Sequence, residues 1–389
     1  MKFAVLSGAY KNAGDYLIVE RCFKLLKHLF PECEIAVYER KESIQPYLEE
    51  INKCDALILA GGPAYQPDIY PSQIPLVDNL DDIKTKIVAI GLGWYGGFGI
   101  DGFNHTLYES YKYTEKTRLL LDRIEKDSVL SCRDLLSVRS LKNNGYKNIL
   151  MTGCPAWYDI ENINKTTLRD GINLPYKKIC ISDPGNKRNT DAAYKVTEFL
   201  RKKYPEAHIN FVFHRGIHHD KLTDKSLSEK YEELVGKLEK LGGVDICDIS
   251  YGTEGFKIYD DCDIHIGFRV HAHIYNLSKR NISLLIEEDG RGAGQNEVLG
   301  LPRLKTVEDK GEIPYMKYGI IGKIVRWLAI RFEIPEKENR YLINNIDDAL
   351  YVLENNDYMI MENAFCLQKK YFDVMSEYLK ETICKQLIK

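Results

Sequence analysis

Arg269, His271 and His273 stand at alternate positions in the stretch Phe268-Arg-Val-His-Ala-His273, directly after the apolar run Ile264–Gly267. One fixed cation beside two imidazoles suits an anionic substrate and a proton transfer near neutral pH. A second apolar run follows at 283–287, and the exit from it carries Glu287, Glu288, Asp289 and Arg291. Strand, helix and strand then form one βαβ-sized unit, and strand ends that feed helices are where α/β proteins place ligands.

Other turns carry polar or glycine signatures. Asn12, Gly14 and Asp15 follow the first apolar run, where Gly14 lets a ligand approach the backbone and Asp15 can cap the next helix. Gly61-Gly62-Pro63 and Gly91-Leu92-Gly93 end two further runs, so three consecutive strand ends predict a cleft lined by backbone N–H groups. None follows the dinucleotide fingerprint or the P-loop. Arg133 and Asp134 open a helix and read as an ion pair and cap rather than as catalytic groups. His214, His218, His219 and Asp220 invite a metal site. No matching acidic or thiolate partners are spaced nearby, so no metal is expected.

These residues need a scaffold. Apolar runs at 2–8, 34–39, 56–62, 87–93, 129–133 and 149–153 alternate with helical patterns at 16–30, 108–126 and 134–144. The scheme repeats with strands near 178–182, 209–214, 244–249, 264–268 and 283–287 and helices near 190–203, 224–241 and 271–279. Continuous apolar strands imply parallel sheets covered on both faces. The predicted architecture is α/β, two Rossmann-like doubly wound parallel-sheet domains facing a cleft. The domains fall at 1–165 and 175–305, with a polar link around 160–175. Residues 306–389 form a third part, an amphipathic segment at 316–332 and two closing helices within 345–386.

Composition agrees and excludes. A chain of 389 residues is long for one core. A formal net charge of −3 argues against a nucleic-acid binder. No apolar run of about 18 residues exists to span a bilayer. Met1–Gly8 reads as a strand rather than a signal peptide, and the ten cysteines follow no disulfide or metal pattern. A reduced, cytoplasmic protein is expected. Segment 316–332 sets Ile320, Ile324, Trp327 and Leu328 against Lys317, Lys323, Arg326 and Arg331, as an interfacial helix does, or a helix packed on the core.

Taken in order, N-x-G-D at 12–15, G-G-P at 61–63, S-x-R-D-x-x-S at 131–137 and G-C-P-A at 153–156 lead to G-x-R-x-H at 267–271 and D-x-R at 289–291. This series resembles the polysaccharide pyruvyl transferase family over roughly residues 1 to 305. The chain departs from the family at Pro63 and Cys154, and at Ser182-Asp183-Pro184-Gly185, where members carry a strand-end Arg. The resemblance implies a GT-B-like pair of domains, the second holding phosphoenolpyruvate and the first a sugar acceptor. It also implies transfer of pyruvate as a ketal onto a hydroxyl pair in cell-surface polysaccharide biosynthesis, with phosphate released and no cofactor.

On that resemblance, Arg269 binds the carboxylate or phosphate of the donor, and His271 binds it and serves as general acid. Asp15 is the general base for the acceptor hydroxyl, and Asn12, Gly14, Gly62, His273 and Arg291 line the cleft. Lys187 or Arg188 supplies the cation missing at 182–185. Acceptors of such pathways include sugars on a polyprenyl diphosphate, so segment 316–332 would hold the protein at the inner face of the plasma membrane. Two other functions fit the same residues. One is a GT-B nucleotide-sugar glycosyltransferase with Glu287, Glu288 or Asp289 on the ribose; the other is a catalytically silent scaffold.

Overall fold

A computed structural model describes residues 1–94, 112–307 and 338–384, together with Ile324. Apart from Ile324, which is exposed, the amphipathic segment 316–332 lies outside the described residues. The N-terminal half runs β1 (Lys2–Ser7), α1 (Ala13–Leu29), β2 (Glu34–Glu39), α2 (Leu48–Ile51), β3 (Ala56–Ala60) and β4 (Lys86–Ile90). It continues with α3 (Glu115–Asp127), β5 (Leu130–Cys132), α4 (Leu135–Asn143) and β6 (Ile149–Met151). Four strands pair in the order β2-β1-β3-β4, every pair parallel. A parallel bridge from Leu92 to Cys132 carries the sheet on to the β5–β6 pair.

After a link without helix or strand over 160–175, the chain builds β7 (Lys178–Ser182), α5 (Thr190–Lys203), β8 (His208–Phe213), α6 (Lys225–Leu241) and β9 (Val244–Asp248). Then come β10 (Ile264–Gly267), α7 (Val270–Ser278), β11 (Ile282–Glu287), α8 (Gly290–Leu299) and β12 (Leu304–Lys305). Their order is β12-β11-β10-β7-β8-β9, again wholly parallel. Both halves are therefore doubly wound sheets, as the apolar runs predict. The run ALILA of β3 is buried at every position because helices cover both faces. Burial of each of its Leu and Ile side chains contributes roughly 1.5–3 kcal/mol.

Helices α9 (Leu342–Asn355) and α10 (Met359–Cys384) close the molecule. α10 returns to the first sheet, where Tyr378 Oη donates to Ala89 O at 2.9 Å and Lys86 Nζ to Thr382 O at 3.0 Å. No helix among the described residues is long and apolar enough to cross a membrane. All ten cysteines are free thiols.

Three elements differ from the sequence expectation. α1 starts at Ala13, which puts Asn12 in the cap position and Asp15 inside the first turn. α3 starts at Glu115, because Thr114 caps it by accepting the Thr117 N–H at 3.2 Å; the expected start near 108 lies outside the described residues. α8 was expected as a polar exit, since its sequence GRGAGQNEVL holds three glycines. Asp289 caps it by accepting the Arg291 N–H at 2.8 Å. A Cβ on Gly294 would meet Asp134 Cγ at 2.8 Å, so that glycine lets α8 close against the N-terminal half.

The halves also meet at the loop before α1. Ala13 N–H donates to His214 O at 3.0 Å and Tyr251 N–H to Lys11 O at 2.8 Å. Lys11 Nζ bonds Asp220 and Thr223 Oγ1, both at 2.5 Å. The strand C-termini of the two sheets thus face each other across a cleft.

Candidate active site

Doubly wound sheets open a crevice where strand order reverses, outside the strand C-termini. In the second sheet that point lies between β7 and β10, which end in Ser182-Asp183 and Gly267-Phe268-Arg269. A small pocket of about 30 Å³ opens here, with Asn12, Arg269, His271, Glu288, Asp289 and Arg291 among its walls. Residues from both halves of the chain meet in it.

His271 sits on Gly14. A Cβ built on Gly14 would overlap the imidazole Nδ1 and Cγ and lie 2.6 Å from His271 Cβ. The ring therefore rests flush on the first turn of α1, held by a neighbour of the other sheet. Burial first, then the charges of Arg291 and Arg133, hold its pKa well below the ordinary imidazole range. Without an anion in the cleft His271 is neutral.

Arg269 reaches the pocket with the Nε/Nη2 edge of its guanidinium already engaged. Its Nε donates to Asp183 Oδ1 at 2.7 Å, its Nη2 to Asp183 Oδ2, and Nη2 also reaches Tyr231 Oη at 3.1 Å. Asp183 is fully buried and takes one edge of the guanidinium from within, so the side that faces the pocket is held in a fixed orientation. Asp183 occupies the turn where the family carries an Arg, and it serves as partner to Arg269. The Arg269 backbone N–H donates to Ser182 Oγ at 3.0 Å and fixes the start of α7.

The other predicted residues divide. Asn12 and Arg291 line the pocket, and Arg291 is held against Asp289 at 2.5 Å. Burial raises the pKa of Asp15, against the hydrogen bond from Asn12 and the charges of Arg291, Arg215 and Arg40. His273 is fully buried with Nδ1 2.8 Å from Ser283 Oγ, on the face of α7 away from the cleft. Lys187 turns to Ser226 Oγ at 3.0 Å, and Arg188 is exposed. Neither is among the pocket's walls. The imidazoles of 214–219 diverge: His214 Nε2 pairs with Tyr259 Oη, His218 with Glu232 and His219 with Thr223 O. Among the described residues no cluster of three or more His, Cys, Asp or Glu could hold a metal ion.

The glycine turns do not expose backbone to solvent as expected. They seat side chains: Gly14 lies under the neutral imidazole of His271, Gly62 under the Arg40 guanidinium and Gly93 under that of Arg133. Arg133 does pair with Asp134, at 3.1 Å, and Asp134 caps α4 by accepting the Ser137 N–H at 2.8 Å. Its charge also reaches His271, which the sequence does not reveal.

Of the three acids that end and follow β11, Glu287 is buried against Asn296 and Arg303, and Asp289 caps α8; Glu288 lines the pocket. Glu288 accepts the Gly185 N–H and an Asn189 Nδ2–H, each at 2.6 Å. Burial nevertheless pushes its carboxyl up to about 7. An anion in this pocket is expected to bind more tightly below pH 7 and to weaken as Glu288 ionises above it. Titration calorimetry with phosphoenolpyruvate at about pH 6 and pH 8 should show a loss of roughly three- to tenfold, which Glu288→Gln flattens.

Two facing doubly wound sheets with a cation-ringed imidazole in the cleft between them define the class of this protein. A family model of polysaccharide pyruvyl transferases matches residues 12–275, and the chain belongs to that family. The bifunctional pantoate ligase/cytidylate kinase of Prochlorococcus marinus (strain AS9601) is 23% identical over 348 residues, covering 86% of this chain and 58% of that protein. The chain thus spans less than two thirds of that relative. The UDP-GlcNAc 2-epimerase of Neisseria meningitidis, bound to UDP-GlcNAc, is 13% identical with a TM-score of 0.47 over 92% of this chain and 100% of that one. The pneumococcal O-GlcNAc transferase GtfA, in complex with UDP and GlcNAc, gives 12% and 0.46 over 88% and 60%. These likenesses are distant, and the strand orders define the fold without them.

Proposed function

We propose that the protein transfers pyruvate from phosphoenolpyruvate onto a pair of sugar hydroxyls as a ketal in polysaccharide biosynthesis. The observation that carries this reading is the neutral imidazole of His271, pressed on Gly14 at the meeting of both sheets and surrounded by Arg133, Arg269 and Arg291. Arrival of a polyanion cancels part of that positive field and lets the imidazole take up a proton where the donor lies.

The chemistry then balances. His271 gives a proton to the methylene carbon of the enol phosphate, and C2 becomes electrophilic. A sugar hydroxyl, losing its proton to Asp15, bonds to C2. The second hydroxyl attacks the same carbon, the C–O bond to phosphate breaks, the remaining hydroxyl proton leaves with inorganic phosphate, and the proton on Asp15 returns to His271 through solvent before the next turnover. Arg291 neutralises charge on the donor. Arg269, locked to Asp183, contributes a fixed positive potential and the geometry of the turn.

Glu288 favours one alternative, a nucleotide-sugar transferase in which this carboxylate holds a ribose. A thermal-shift screen separates the two. Phosphoenolpyruvate should raise the melting temperature at millimolar concentration, and UDP- or GDP-sugars should not. Stabilisation by a nucleotide sugar alone would select the alternative.

A further inference from the structure

Glu288 brings a carboxylate of the protein's own into the pocket. Its Oε2 accepts the Gly185 N–H at 2.6 Å, and its Oε1 accepts the Asn186 N–H at 3.2 Å and an Asn189 Nδ2–H at 2.6 Å. Those three donors stand in the loop after β7, whereas Glu288 follows β11, and β10 lies between the two strands. The side chain therefore reaches across the end of β10, over the reversal point of the second sheet, where doubly wound folds receive ligands.

The loop is shaped for this contact. A Cβ on Gly185 would stand 3.1 Å from Glu288 Oε2 and 3.4 Å from Arg269 Nη1. Gly185 is absent from the positions with positive φ, so its lack of a side chain serves the approach of these groups and not the backbone. Nη1 is the terminal nitrogen that Arg269 does not give to Asp183, and it borders the same spot. Of the two carboxylates in the pocket wall, Asp289 is tied to Arg291, while Glu288 has no Lys or Arg within ion-pair distance among the described residues. Neutral N–H groups hold it, and its side chain is half-buried, which leaves a way out to solvent. The space beside it, about 30 Å³, holds about one water molecule, less than a phosphate group needs. A second anion set next to this carboxylate would also meet its charge.

We propose that Glu288 is an internal occupant of this pocket, whose carboxylate holds the Gly185, Asn186 and Asn189 donors until an anionic group of the substrate displaces it and takes them over. This rests on phosphoenolpyruvate being the donor that enters here. The exchange swaps one set of charge-assisted hydrogen bonds for another. It therefore costs little for a ligand that gains further contacts with His271 and Arg291, and more for one that gains none. Glu288 thereby discriminates against bare phosphate, excluding the ion before the reaction and displacing it as product afterwards.

Calorimetry on the full chain with inorganic phosphate and with phosphoenolpyruvate tests it. Glu288→Ala should bind phosphate tenfold or more tightly than wild type, because its donors then stand free. Glu288→Gln keeps the shape and an acceptor oxygen for the same donors, and its gain should be at least threefold smaller. Adding Asn189→Ala to Glu288→Ala should take back threefold or more of the gain, because the ion then lacks one donor. Unchanged or weaker phosphate binding in a Glu288→Ala variant that its melting curve shows to be folded would overturn the proposal. Equal gains in Glu288→Gln and Glu288→Ala would overturn it too, since charge and not occupancy would then be the cause. Where Glu288→Ala does not fold, Glu288→Gln decides: tighter phosphate binding than wild type supports the proposal and equal binding ends it. Phosphoenolpyruvate that binds neither wild type nor Glu288→Ala, beside a phosphate gain of the expected size, would strike the donor reading and leave Glu288 as the occupant.

Discussion

Gly14→Ala is expected to lower turnover by roughly a hundredfold to ten-thousandfold in a protein that still folds. Gly14 lies in the first turn of α1 with a backbone an alanine readily adopts, since it is absent from the positions with positive φ. Alanine favours a helix over glycine by about 1 kcal/mol, so α1 itself gains. The added methyl group meets the root of the His271 side chain as well as its ring, with Cβ at 2.6 Å. Rotating the imidazole cannot clear a clash at its own Cβ, so α7 or the ring must leave its place. Gly236→Ala is the control: Gly236 lies within α6, and nothing stands within 4 Å of an added Cβ. That variant should match wild type in turnover and equal or exceed it in melting temperature. Full turnover in Gly14→Ala would remove His271 from the chemistry.

Arg269→Ala is expected to destabilise the protein by about 3–5 kcal/mol in urea denaturation, over and above any loss of activity. The change strands Asp183, a fully buried carboxylate whose main counter-charge is the Arg269 guanidinium, in an interior beside Tyr231. Adding Asp183→Ala to Arg269→Ala should restore part of the lost stability, because the unpaired charge is then gone. An Arg serving only as a substrate clamp would behave otherwise, costing activity with an unchanged denaturation midpoint. Such a midpoint in Arg269→Ala would contradict the pairing with Asp183.

Much of the scaffold was legible because continuous apolar runs such as KICIS at 178–182 and IHIG at 264–267 admit few other structures. The site was legible in part. His271 stood out by its place at a strand end, whereas His273 was grouped with it although residues two apart on a helix face nearly opposite directions, about 200° around the axis. The tie of Arg269 to Asp183 joins residues 86 apart, and no local pattern records it. Arg40 has no local signature, because it follows an edge strand with exposed positions and carries no motif of its own; only its span over Gly8 and Gly62 marks it. α8 was hidden by glycines that are there for close packing against Asp134, not for a turn.

The central claim, donor chemistry at His271, is tested most directly by phosphate release from phosphoenolpyruvate with a panel of glycosides and anionic sugar acceptors. Wild type should release phosphate only when an acceptor is present and should leave a pyruvate ketal on it, and His271→Ala should lose that rate by at least a hundredfold while still binding phosphoenolpyruvate. Phosphate release and ketal formation at the wild-type rate in His271→Ala would contradict the claim.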